Sequence, residues 1–191
     1  MNKKSILFLG YDEKKTFLIE ELKSKGCNLE LSNKKIFQHE SFDKIILFGY
    51  RYLIKEDLLE SINIPIINLH ISYLPWNRGA HPNFWSFYEE SPCGVTIHLV
   101  DKGIDTGPIL YQKQVFFDKN ERTFRETYNR LINEIEQLFI KNIDEIIDGN
   151  FIIKSQKGIG SFHKKNELPK EFLGWDSNIN DEIARLKKIY E

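Results

Sequence analysis

The sequence predicts an α/β domain built on a parallel sheet, and three observations carry that prediction. Short, nearly continuous apolar runs fall at residues 5–9, 44–48 and 66–70, the pattern of strands covered on both faces. Stretches with helical spacing separate these runs. Polar residues then collect at the C-terminal end of the third run, where open α/β sheets hold their ligands.

Taken in order, the run at 5–9 closes at Gly10. Residues 15–25 place Phe17, Leu18 and Leu22 among charges, a helix with Gly26 as its cap. A second short strand follows at 28–31. Residues 44–48, closed by Gly49, form a buried strand, and 55–61 a helix. Pro65 opens the strand at 66–70, in which Asn68 and His70 stand two apart and so share a face. Residues 72–83 are rich in Pro, Gly, Asn and Trp and read as a loop. Strands are expected at 94–100 and 110–117, with a glycine-containing loop at 101–108 between them. Residues 123–148 read as one long helix with Phe124, Leu131, Ile135, Leu138, Ile143 and Ile146 on its buried stripe and Gly149 as its stop. After 151–153 the chain turns polar. Residues 181–190 form a short amphipathic helix whose Ile183, Leu186 and Ile189 could serve a homodimer interface or pack down.

Composition limits the possible functions. Lys plus Arg number 27 and Asp plus Glu 28, so the chain lacks the broad cationic footprint of a protein that binds duplex nucleic acid. Two cysteines, Cys27 and Cys93, make no disulfide framework and no Cys-x-x-Cys pair. The basic start at residues 1–4 with the apolar run after it resembles a signal peptide, but the run is short and Tyr11, Asp12 and Glu13 stand where a cleavage site would be needed. No apolar stretch approaches the length of a membrane span. A cytoplasmic protein that engages no membrane is expected.

Asn68, His70, His81, His98, Asp101 and Asp105 are the polar groups with chemical potential. An amide donor, a neutral imidazole and a carboxylate can together stabilise an oxyanion and move a proton, which suits acyl transfer to an amine. The order of motifs is specific: Asn-x-His at 68–70, Leu-Pro-x-x-Arg-Gly at 74–79, Gly-Val-Thr-x-His at 94–98 and Ile-Asp-Thr-Gly at 104–107. This order resembles the 10-formyltetrahydrofolate-dependent formyltransferases. The resemblance implies a Rossmann-like parallel sheet with helices on both faces. It also implies a catalytic domain over 1–150, with 151–191 a short C-terminal extension rather than a second domain.

Carried over residue by residue, the resemblance makes Asn68, His70 and Asp105 the catalytic trio. Asn68 would donate to the developing oxyanion, His70 would stabilise that charge or relay a proton, and Asp105 would tune His70 and take up the amine proton. The formyl donor, 10-formyltetrahydrofolate, is implied to lie between Tyr50, Arg51, Tyr52, Leu53 and Ile54 on one side and Val100, Asp101, Ile104 and Asp105 on the other. Arg78, Gly79 and His81 would face the acceptor. No metal is expected, because the histidines and Asp105 show no ligand spacing.

The acceptor is the harder choice. The glycinamide ribonucleotide branch carries a Gly/Ser-rich phosphate loop after the first strand, where this chain has Tyr11, Asp12 and Glu13. The methionyl-tRNA branch carries a further RNA-binding domain that this chain does not show. The remaining branch acts on nucleotide-linked amino sugars, and residues 160–165 resemble a Tyr-His-basic element of that group, with Phe162 in place of the tyrosine. Two other readings are a formyltetrahydrofolate hydrolase and a non-catalytic folate- or nucleotide-sugar-binding protein.

Several residues also have structural readings. His98 reads as a buried, hydrogen-bonded histidine more readily than as a participant, and Asp105 has a turn-residue role as its minority reading, one that can coexist with catalysis. Leu74-Pro75 and Arg78-Gly79 equally suit a rigid loop. Trp76, Phe84, Trp85 and Phe87 suit packing, and Lys34-Lys35 and Lys164-Lys165 a solvated surface.

Overall fold

The computed structural model describes residues 3–36 and 42–190. Residues 1 and 2 of the basic N-terminal stretch lie outside them.

The first apolar run forms β1 (Ser5–Gly10), with Ile6 and Phe8 on one face and Leu7 and Leu9 on the other. Helix α1 (Leu18–Ser24) buries Leu18, Ile19 and Leu22 against the first face and starts three residues later than the spacing suggests. It ends as expected at Gly26, at φ +82°, where Gly26 N–H donates to Lys23 O and Cys27 N–H to Leu22 O. There follow β2 (Asn28–Ser32), β3 (Lys44–Phe48), α2 (Glu56–Ser61) and β4 (Ile66–His70). Next come a two-residue strand β5 (Arg78–Gly79), helix α3 (Pro82–Tyr88), β6 (Gly94–Leu99) and β7 (Ile109–Gln114). Helices α4 (Phe124–Lys141) and α5 (Ile143–Asp148), strand β8 (Phe162–His163) and helix α6 (Ile179–Tyr190) complete the chain.

The main sheet has the order β2-β1-β3-β4-β6-β7. Its first four strands are parallel, as the βαβ pattern requires, but β6 runs antiparallel to β4, and β7, antiparallel to β6, returns to the common direction. The sheet is therefore mixed rather than wholly parallel. The connection over residues 71–93 leaves β4 and enters β6 at the same end of the sheet, with His70 opposite Thr96, so no crossover intervenes.

Helices cover both faces. Helices α1, α4 and α5 close over Ile46, Ile67, Leu69, Val95 and Ile97, while α2 closes over Ile45, Leu47 and Ile66. The pleat then decides where polar groups can stand. Asn68, His70, Thr96 and His98 continue the second face beyond its apolar part, and β4–β6 pairing sets Asn68 opposite His98.

Two helical expectations change. The predicted helix at 123–148 begins on a capping box between Thr123 and Glu126 but breaks at Asn142, whose side chain donates to Leu138 O at 2.7 Å. The predicted loop at 72–83 holds β5 and the start of α3. That short helix is held by aromatic burial: Phe84 and Trp85 pack with Phe124, Phe172, Ile179, Ile183 and Leu186. Phe84, Trp85 and Phe87 are thus packing residues, and Ile183 and Leu186 pack down while Ile189 stays exposed. Residues 151–190 return to the sheet: Lys154 bridges Ile109, and β8 pairs with β5.

Candidate active site

At the C-terminal ends of β3 and β4 lies a cleft of about 830 Å³. Asn68, His70 and His98 form its floor from adjacent strands, and Asp105 reaches it from the β6–β7 loop. Asp105 adopts φ +53°, a left-handed conformation that aspartate tolerates better than most residues. Its Oδ1 accepts from Asn68 Nδ2 at 3.1 Å and its Oδ2 from the Gly79 N–H at 2.9 Å. Its carboxylate stands 3.7 Å from His70 Nδ1 and 3.5 Å from His98 Nε2.

The partners fix the protons. His98 Nδ1 lies 2.8 Å from Leu99 O, a pure acceptor, so in the neutral ring Nδ1 carries the hydrogen and Nε2 accepts from Asn68 Nδ2 at 3.1 Å. His70 Nε2 lies 3.2 Å from Asn77 O, which leaves Nδ1 as the lone-pair atom facing Asp105 Oδ2. The Asn68 amide cannot be turned over, because its nitrogen faces a carboxylate that only accepts. Both of its hydrogens are therefore engaged.

Burial pushes the His70 imidazole below its ordinary value; Asp105 opposes that shift without reversing it. For Asp105 burial acts the other way, but His70, His98 and the Gly79 N–H outweigh it and hold the carboxyl well below the usual range. Asp105 is thus ionised, held most strongly when the rings beside it are protonated, while burial favours the neutral form of His70. Two acceptors, Nδ1 and Oδ2, look toward one point.

The walls of the cleft come from residues the sequence singled out. Tyr50, Arg51, Tyr52, Leu53 and Ile54 line it after β3, and Val100, Asp101 and Ile104 line it after β6. Tyr50 is anchored there, its hydroxyl bonded to the Lys34 carbonyl and the Ile36 N–H. Asp101 organises its loop by accepting from the Gly103 N–H and the Thr106 hydroxyl. Leu53 is 68% and Ile104 37% exposed, an apolar rim at the mouth. Gly79 and His81 line the cleft as well, with the His81 ring 5.5 Å from Trp175.

Arg78 is placed differently from Gly79 and His81: it is not among the lining residues, and its Nε and Nη2 both donate to Gln156 Oε1, at 3.1 and 2.9 Å. Lys164 and Lys165 are exposed, as expected of a solvated surface, and that surface borders the cleft. Sequence reasoning missed Tyr11 and Tyr128, whose hydroxyls meet at 2.8 Å on the cleft wall. The resemblance of residues 160–165 was the signal for the lysines; nothing local marks the tyrosines.

Comparison with known proteins shows the family of the chain. The family model described as "Formyl transferase" matches residues 10–143. The chain is 32% identical over 175 residues to the methionyl-tRNA formyltransferase of Thermodesulfovibrio yellowstonii, covering 86% of this chain and 56% of that protein. It is 27% identical to the dTDP-4-amino-4,6-dideoxyglucose formyltransferase of Mycobacterium tuberculosis, covering 68% and 54%. It thus spans just over half the length of these curated relatives. A solved structure, the formyltransferase PseJ from Anoxybacillus kamchatkensis in complex with UDP-4,6-dideoxy-4-formamido-L-AltNAc and tetrahydrofolate, superposes with a TM-score of 0.86 at 40% identity, covering 95% of this chain and 98% of that one. A match over most of the sheet that carries Asn68, His70 and Asp105, joined by likeness to PseJ along almost the full length of both chains, settles membership: this chain belongs to the formyl transferase family.

Proposed function

We propose that this protein moves a formyl group from 10-formyltetrahydrofolate to a primary amine on a nucleotide-linked amino sugar. The likeness to PseJ carries the choice of acceptor, because that relative holds a UDP-linked formamido sugar together with tetrahydrofolate. The cleft suits both ligands. The backbone run at 50–54 faces 100–105 across it, with Leu53, Ile54, Val100 and Ile104 offering apolar surface to a flat heterocycle. Lys164 and Lys165 give the cleft the positive charge a diphosphate needs.

The bound donor supplies an electrophilic formyl carbon. The amine nitrogen bonds to that carbon, the bond from carbon to the folate nitrogen breaks, and the proton that the amine gives up is passed to that leaving nitrogen, which departs as the N–H of tetrahydrofolate. His70 Nδ1 and Asp105 Oδ2 are the two acceptors placed to receive the amine proton, since the Nε2 hydrogen of His70 is committed to Asn77 O. This favours proton relay over oxyanion stabilisation for His70. As Asp105 turns to the amine hydrogen, the Asn68 N–H that it now holds becomes available to the formyl oxygen.

The test is a panel of UDP- and dTDP-linked amino sugars incubated with 10-formyltetrahydrofolate and read by a mass gain of one CO. Formylation of at least one sugar is expected. Formate release indifferent to added sugar would instead identify a hydrolase, and donor binding without either product a binding protein.

A further inference from the structure

Asp105 is held by more than its carboxylate contacts. Gln156, from the polar stretch that follows α5, donates its Nε2 hydrogens to Asp105 O and to Gly107 O, each at 2.8 Å. Its Oε1 accepts both Arg78 donors. The amide orientation follows from chemistry: guanidinium only donates and the two carbonyls only accept, so Gln156 fits one way round. Gln156 is itself anchored two residues earlier, where Lys154 and Ile109 exchange both backbone hydrogen bonds.

The chain of contacts closes on itself. Arg78 immediately precedes Gly79, whose N–H holds Asp105 Oδ2. The backbone of Arg78 is in turn fixed by its N–H to Ser161 O and by pairing of β5 with β8. The Arg78 side chain therefore backs the Asp105 carbonyl through Gln156, while the backbone of the next residue, Gly79, holds the carboxylate. A left-handed aspartate in a loop otherwise has several rotamers and backbone states open to it.

We infer that Arg78 and Gln156 are positioning residues that fix Asp105 against His70, and that they contact neither ligand. This inference rests on the part given to Asp105 in the proposed transfer. Two variants separate positioning from folding. Gln156→Ala removes the relay. Gln156→Glu keeps the acceptor for Arg78 but sets a carboxylate against two carbonyls, losing the donors that hold Asp105.

Both variants are expected to melt within a few degrees of wild type and to lose about tenfold to a hundredfold in kcat. KM for donor and acceptor should move less than about threefold. The acid limb of the pH profile, set by His70, should fall, because a carboxylate that drifts away no longer opposes the burial that lowers that imidazole. Adding Arg78→Ala to Gln156→Ala should cost nothing more, since the two act through one contact. Wild-type kcat with an unmoved acid limb in Gln156→Glu, or additive losses in the double variant, would overturn the relay. If Asp105→Asn itself turned over normally, the underlying reading of Asp105 would fall instead.

Discussion

Replacing Asp105 by asparagine separates charge from shape at the one residue where the proposed chemistry concentrates. Asparagine is at home at φ +53°, so the loop can keep its path. The contacts cannot all survive. The carboxylate accepts from Asn68 Nδ2 at 3.1 Å and from the Gly79 N–H at 2.9 Å, and an amide offers only one acceptor atom. Whichever way it turns, its NH2 meets a donor and one buried N–H loses its partner, at a cost of about 1–3 kcal/mol. A domain stable by ~5–15 kcal/mol withstands that and stays folded. Turnover should respond far more. With Oδ2 no longer able to accept a proton, the loss should reach about 100- to 10,000-fold. The walls of the cleft are untouched, so KM for each ligand should stay within about threefold. Steady-state formylation read by mass, with donor binding followed separately, measures both quantities. A folded variant that turns over within about tenfold of wild type would show that the carboxylate does no chemistry.

Four further outcomes can be checked. Because burial lowers His70, its neutral form persists into acid, and the acid limb of kcat/KM should lie below the ordinary histidine value of about 6.5; a limb at or above it would refute the assignment. The same shift makes protonation favour the unfolded chain, so stability should fall as pH drops below ~6.5, and His70→Gln should flatten that dependence in thermal melts. Gly79→Ala would place a Cβ 2.4 Å from His163 O at φ +86°, so β5 must part from β8 and its N–H from Asp105; a loss of about 1–3 kcal/mol with a fall in kcat is expected, and wild-type values for both would sink the claim. Phe139→Ala, at a fully buried position far from the cleft wall, should cost ~3–5 kcal/mol in chemical denaturation and leave KM unchanged.

The strands were legible because burial on both faces writes itself as an apolar run, and residues 66–70 coincide with β4. Helix α3 was not, since Pro82, Asn83 and a run of aromatics resemble a loop until Phe124 and Phe172 are known to pack on them. Strands β5 and β8 have two residues each, too few to show a period. Within the site, Asn68 and His70 follow from strand spacing alone. That Asp105 meets them came only from resemblance, because a residue 37 positions from Asn68 reaches it through a loop whose path no local rule states. Gln156 had no signal at all: it is one polar side chain in a polar stretch, and its meaning lies in the carbonyls it faces.

The turn after β1 bears on the choice among acceptors. A cradle for a phosphate needs several backbone N–H groups free to converge on one anion. Here the Tyr11 N–H donates to Phe48 O, the Lys14 N–H to Asp12 Oδ1, and the Lys15 and Thr16 N–H groups to Asp12 O. Four N–H groups at this turn are thus already engaged, and Tyr11 packs its ring against Phe48 with its hydroxyl on Tyr128. An acceptor whose only anion is a phosphate at this turn would find acidic Asp12 and Glu13 in place of donors. Of the cations that line the cleft, Lys102 is paired with Glu56 and Glu60, while Arg51, Lys164 and Lys165 come from the β3–α2 connection and the stretch after β8. An acceptor that carries its charge apart from its amine, as a nucleoside diphosphate sugar does, can reach those cations while its amino group stands before His70 and Asp105. The arrangement of charge thus favours the amino sugar independently of the relatives.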